Sequence, residues 1–277
     1  DVSGVAGGGQ VLIGGNYLGQ GPEPNAKATV LFNGSEVKAN ALTEGDGGRV
    51  IVWSDEYTGF FGNISANGSL DGAGGFVETS SKDNLQAFGS VSATGRGGVW
   101  LLDPSDVTIN DAGVVGNSAT QDGGTFTPQN GEVGAQIDVD NINTALTGGT
   151  SVIIQTSSDQ TEDGDITLTA MVGKNITKSG GADASITFFA ARDIILNDVI
   201  ESTSGGLSVN LQAQRNVDIN DNIWFGTSNG VQMFDGVTWT SYNTSIHPNI
   251  VSDNIKVISA VSNGDIWIGT DFGASRF

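Results

Sequence analysis

Residues 45–106 read GDGGRVIVWSDEYTGFFGNISANGSLDGAGGFVETSSKDNLQAFGSVSATGRGGVWLLDPSD, and the reading of the fold turns on them. A glycine pair followed at once by a short apolar strand occurs three times: GGRVIVWSD from Gly47, GGFVETSSK from Gly74 and GGVWLLDPS from Gly97. The steps are 27 and 23 residues, with shorter strands, GNISANG and GSVSATG, lying between. A period of about 20–50 residues marks a stack of equivalent units. Units made only of strands, turning at Gly, Asn and Asp, predict a β-solenoid in which each coil lies on the last. Side chains alternate along a strand, so Val50 and Val52 share one face while Ile51 and Trp53 share the other. One face must fill a narrow core, and the other must meet solvent or a covering element. Glycine pairs suit the corners, where a Cβ would strike the neighbouring coil.

Working outward, Gly7 to Gly9 lead into QVLIGG, a further copy of the glycine-then-apolar unit. Residues 21–28 (GPEPNAKA) form a polar loop. Thr29–Phe32 and Ser35–Ala39 read as strands around an Asn33-Gly34 turn, a pair that accepts the positive φ of a tight turn.

The segments DVSGVAGGGQVLIGGNYLGQGPEPNA, GDGGRVIVWSDEYTGFFGNISANG, GGFVETSSKDNLQAFGSV and GGVWLLDPSDVTIN resemble consecutive pieces of large exoproteins of the filamentous-haemagglutinin type, exported by two-partner secretion. The resemblance covers about residues 1–110 and continues more weakly to about 220. It implies a right-handed parallel β-helix and export to the surface of a Gram-negative-type bacterium through an outer-membrane secretion partner. It also implies a structural or adhesive role and no catalytic residues. The family's amino-terminal secretion domain is not visible, and the chain opens on Asp1 without a Met, which reads as a processed product or an excised piece.

Downstream, residues 111–137 lose the pattern and read as an irregular excursion. Residues 138–146 (DVDNINTAL) carry Val139, Ile142, Ala145 and Leu146 at helical spacing, with Asp138 or Asp140 as cap and Gly148-Gly149 as stop. Such a helix is expected to cover an exposed coil. From Thr150 the coils resume. FFAARDIILND (188–198) aligns with LQAQRNVDIND (211–221), setting Ala190 against Ala213 and Arg192 against Arg215, a step of 23; Ala170 is placed one coil earlier. At roughly 4.8 Å per coil, about nine coils would make a rod on the order of 45 Å long. In the tail, Ile223-Trp224 recurs as Ile266-Trp267, each followed by Gly-Thr and a second glycine. This is similar to the blade repeat of two-component-regulator β-propellers and implies a small antiparallel, blade-like segment. The expected organisation is all-β: solenoid coils over 1–112, an excursion with a short helix over 113–150, coils over 151–221, and the blade-like segment over 222–277.

Composition narrows the function. The chain has 277 residues, 42 of them glycine, and 37% are apolar, which argues for folded structure over disorder. Eleven basic residues against 31 acidic give a formal charge of −20, the wrong sign for nucleic acid or an anionic membrane surface. Acidity of this size keeps a sheet-rich particle soluble and can also collect divalent cations. Cysteine is absent, which removes zinc–cysteine sites, redox motifs and thiol nucleophiles. No apolar run is long enough to span a bilayer.

Few residues suggest chemistry. Asp159, Glu162, Asp163 and Asp165 surround a glycine turn, a set of oxygen ligands suited to Ca²⁺ but without the full spacing of a calcium loop; the plainer reading is a solvated acidic corner. Asp218, Asn220, Asp221 and Asn222 form a weaker acidic loop. The lone His247 reads as an ordinary loop residue. Arg192 and Arg215, with Asp193 and Asn216 beside them, could bind an acidic sugar or could be repeat-equivalent surface residues paired with carboxylates. Trp53, Tyr57, Phe60, Phe61 and Phe76 could form a sugar-stacking strip or an internal ladder. The expected function is a secreted, self-associating structural protein, with no catalytic residues and no cofactor beyond possible calcium. The alternatives are a glycan-binding adhesin module and, behind it, a β-helix polysaccharide lyase or hydrolase.

Overall fold

A computed structural model describes residues 1–111, 119–122, 125–128, 134–157, 163–219, 223–227, 229–234, 238–247, 249–260 and 266–276. The chain is 48% strand and 5% helix, and its parallel strands stack as a β-solenoid of about six turns.

Each of the first three coils has three strands. They are β1 (Gln10–Ile13), β2 (Ala28–Leu31) and β3 (Glu36–Lys38); β4 (Arg49–Val52), β5 (Tyr57–Phe60) and β6 (Asn63–Ser65); and β7 (Phe76–Thr79), β8 (Asn84–Ala87) and β9 (Ser90–Ser92). Equivalent strands pair in parallel, so the glycine-pair step is one coil. Val50 aligns with Val77, Trp100 and Val152, all fully buried, and this ladder is the core. The corners need glycine: a Cβ on Gly47 would overlap the carbonyl oxygen of Ala66 in its own coil.

The fourth level departs from the expected excursion. After β10 (Val99–Leu102) and β11 (Val107–Asn110) come a hairpin of β12 (Ala119–Asp122) and β13 (Thr125–Pro128), then β14 (Ala135–Asp138) and α1 (Val139–Thr147). The second sheet runs β8-β14-β11, so β14 is wedged between two strands that precede it in the sequence. Residues 135–147 therefore belong to the solenoid wall and not to an irregular excursion. The helix forms as expected, with the Asp138 carboxylate accepting from the Asp140 amide at 2.8 Å. Its apolar face lies in the shared core, not over the outside of a coil, and it packs against β9 on the third face. A helix is about 10 Å wide and strands lie about 4.8 Å apart. One helix thus takes the room of two strands.

The coils then resume with β15 (Ser151–Gln155), β16 (Ile166–Leu168), β17 (Ile176–Ser179), β18 (Ala184–Ala190), β19 (Asp193–Leu196), β20 (Ile200–Ser204), β21 (Leu207–Ala213) and β22 (Asn216–Ile219). α1 also packs against β17. Ala190 pairs with Ala213, as the step of 23 requires. Ala170 is not its earlier counterpart, because Ile166–Leu168 pairs with Ile194–Leu196 and the first sheet sets Gln155 beside Phe189. The stack is also shorter than nine coils. β14 and α1 together add little more than one level, and the tail leaves the solenoid. About six turns at roughly 4.8 Å each give a rod of about 30 Å.

The tail forms two three-stranded antiparallel sheets: β23 (Ile223–Thr227), β24 (Gly230–Phe234) and β25 (Trp239–Tyr242), then β26 (Ile255–Ala260), β27 (Ile266–Thr270) and β28 (Gly273–Arg276). The two Ile-Trp-x-Gly-Thr segments occupy equivalent hairpins, closed by Thr227–Gly230 and Thr270–Gly273. β26 packs against β20 and β23. Among the described residues no helix is long and apolar enough to cross a membrane.

Candidate functional site

Two places stand out, a strapped patch on the first sheet and the two ends of the solenoid. The outward row of the first sheet runs Ile51, Glu78, Leu101, at 0%, 0% and 3% exposure. Gly14–Ala26 folds back onto this sheet as a strap and meets the row at Glu78. The strap's ends are joined by the Ala26 amide donating to the Gly14 carbonyl at 2.6 Å. Gly19 lies flat on the Trp53 indole, where a Cβ would sit 2.5 Å from the ring. Asn25 donates to the Gly19 carbonyl and to Asp55, each at 2.9 Å, and the Trp53 indole N–H donates to Asp55 at 3.2 Å.

At the strap's centre the Leu18 amide donates to Glu78, at 3.1 Å to Oε1 and 3.4 Å to Oε2. Leu18 is the one non-glycine among the described residues with positive φ, 53°, a left-handed conformation that costs about 1–2 kcal/mol. Tyr17 meets Phe76 edge-on at 5.8 Å, and the Arg49 guanidinium lies 4.9 Å from both ring centres. Burial and the like charge of Asp103 push the Glu78 carboxyl up to about 7, against the opposing pull of the Leu18 amide, Ser80 and Arg49. Burial also raises Asp103, to about 6, although Gln155 bonds to it. Beside the strap an open groove of about 560 Å³ runs along the glycine corner, lined by Gln10, Asp46, Arg49 and Phe76.

The ends differ from the middle. β1 and β21 are the edge strands of the first sheet, and β2 and β22 those of the second. Val209 continues the core ladder through Ile186 yet is 40% exposed, while Ile186 and Val152 are at 0%. At the other end Val11 and Ile13 are only partly buried, while their partners Val50 and Val52 are fully so. Native sheet edges are commonly blunted with charge or proline, but β1, β2 and β21 contain neither. The third face is different: the Val2 amide donates to Lys38 below β3, and β26 packs on β20.

The residues expected from sequence fall as follows. Of the acidic turn, Asp159 and Glu162 lie outside the described residues. Arg192 pairs with both Asp163 and Asp165. Arg192 and Arg215 belong to a ladder of repeats. Asp165 accepts from Arg192 and the Asp193 amide, and Asp193 accepts from Arg215 and the Asn216 amide. Asp218 is exposed, and Asn220, Asp221 and Asn222 lie outside the described residues. His247 packs on Tyr242 at 4.7 Å between ring centres. Trp53, Tyr57, Phe60 and Phe61 are buried and offer no stacking strip; Phe76 alone of that set reaches the groove.

Glu78 and Asp103 were not among the expected site residues. The signal was available, because aligning the three glycine-pair units sets Glu78 in a column with Ile51 and Leu101. No protein-family model matches this chain, and no curated protein matches it.

Proposed function

We propose that the chain is a secreted structural protein of the cell surface or extracellular matrix that associates end to end, as a fibre or an adhesin stalk. The observation that supports this most is the end at β21, where the core ladder finishes with Val209 40% exposed on a strand without charge or proline. Continuing the parallel ladder from one copy into the next sets one edge of the solenoid against the opposite edge of its neighbour. The contact is therefore head to tail, a heterologous geometry that propagates when it does not close into a ring. In this arrangement β21 of one copy lies against β1 of the next, and Val209 is covered by Val11. Export through an outer-membrane partner and kinship with haemagglutinin-type exoproteins rest on the sequence resemblance, as does the likeness of the tail to propeller blades.

Negative-stain electron microscopy and sedimentation at rising concentration test the proposal. Rods in multiples of about 30 Å are expected, from about six coils at roughly 4.8 Å. Val209→Lys should abolish them and leave the monomer folded. Compact monomers alone at high concentration would overturn it. A second reading, glycan binding, is favoured by the groove with Arg49 and Phe76. Glycan-array signal lost in Arg49→Ala would support it.

A further inference from the structure

We propose that Gly14–Ala26 is a proton-linked strap, closed over the first sheet while Glu78 is protonated and loosened when Glu78 ionises. This stands apart from the end-to-end assembly and would hold for a monomer.

The geometry is that of a device built around one side chain. An acid has been placed mid-row between Ile51 and Leu101, where the neighbouring coils carry aliphatics. It is fully buried, and the element that buries it is a surface loop bonded to it by a single amide. That amide belongs to the residue whose backbone is left-handed. The strap is also held by Tyr17 on Phe76 and Arg49, Gly19 on Trp53, Asn25 on Asp55, and the Asp55 amide donating to the Ala26 carbonyl at 2.9 Å.

The charged and titratable groups facing Glu78 come from three elements. Arg49 reaches it from β4 and favours its charge, whereas Asp103, past the end of β10, opposes it. From the strap come the Tyr17 ring, against which Arg49 packs, and Glu23, which accepts from Asn16. Asp55 is engaged by Asn25 and Trp53. Arg49 is itself shared between two aromatic faces, so the carboxylate has only partial compensation. Water is the remaining source of solvation, and reaching it requires the strap to lift.

The direction of the linkage follows. With the strap closed, Glu78 holds its proton up to about pH 7; exposed, it would release it near 4.5. The closed form binds more protons between those values. Closure is therefore fully favoured below about pH 4.5 and weakens as pH rises through about 7. Lifting would also release Arg49 from Tyr17 and widen the groove beside it.

Hydrogen exchange of the peptide covering residues 14–26, corrected for intrinsic rates, reads the opening directly. Opening should rise at least about tenfold between pH 5 and 8.5, from the size of that shift. Glu78→Gln, a neutral isostere that still accepts from Leu18, should stay closed and flat across that range. Wild-type exchange that does not change with pH, or a Glu78→Gln profile that follows it, would overturn the proposal. If Glu78→Gln fails to fold, Asp103→Asn decides. Removing the like charge should move the wild-type midpoint to lower pH, and an unmoved midpoint would overturn the proposal.

Discussion

The solenoid and the tail are both built from short repeated strands, and they bury themselves in different ways. In the solenoid inward residues stack on inward residues of the neighbouring coils, and Val50, Val77, Trp100, Val152 and Ile186 are all at 0% exposure. In the tail, pairing is local, within hairpins. Its buried apolar side chains among those described are Val231, Ile250 and Ile268, while Trp239, Trp267 and Phe272 are 59%, 43% and 80% exposed. A repeated strand motif makes a core only where copies stack in register. Stability in such stacks is close to a sum over neighbours, so the solenoid should hold most of it.

The contrast is tested hardest by paired core truncations. Trp100 is fully buried, meets Phe60 edge-on at 6.3 Å and donates its indole N–H to Thr79 at 2.9 Å. Trp100→Ala should cost about 3–5 kcal/mol in urea unfolding, while Ile268→Val in the tail should cost about 1. The tail variant should leave the solenoid transition where it was. A single shared transition, shifted by both variants, would mean that the two regions form one cooperative unit and would erase the distinction. Next in size comes the corner. Gly47→Ala puts a methyl against the Ala66 carbonyl, and backbone cannot rotate away as a side chain can. About 1–3 kcal/mol of overpacking is expected, read by the same urea titration. A neutral result would mean that the corner is not close-packed and that the glycine pairs are there for another reason.

The coils were legible in the sequence because their glycine corners and alternating valines report the two constraints that a stack imposes on each strand. The helix was legible for the same reason: Val139, Ile142, Ala145 and Leu146 keep helical spacing whichever side they pack against. What they pack against was not legible. The wedging of β14 between β8 and β11 depends on which strand edge is free when the chain returns, a non-local fact carried by no residue of Ala135–Asp138 itself. Ala170 misled for a related reason, since similar short apolar segments occur on two different faces. At the candidate site, alternation along β7 places Glu78 on the outward row with Ile51 and Leu101. Its burial comes from a strap some 60 positions away, and alternation says which way a side chain points but not what lies over it.

The smallest effect should come from the most regular polar feature, the arginine–aspartate ladder on the outer corner. Arg192 bridges Asp163 and Asp165, and Arg215 bridges Asp193, so the ladder repeats as faithfully as the valines inside. Regularity does not make it strong. The Arg215 side chain is 57% exposed, and exposed pairs are screened by water and salt. The Arg215 guanidinium holds the Asp193 carboxyl below its ordinary range, so what the pair contributes is present above about pH 4 and lost as pH falls through the lowered value. Arg215→Ala should therefore shift the urea midpoint less than any of the three variants above, and the shift should vanish in about 1 M salt, where the screening length is about 3 Å. Trp100→Ala should be indifferent to salt. If Arg215→Ala instead matched Trp100→Ala and kept its size in salt, the outer ladder would be holding the coils together. The account that places their cohesion in the buried valine and tryptophan stack would then have to be abandoned.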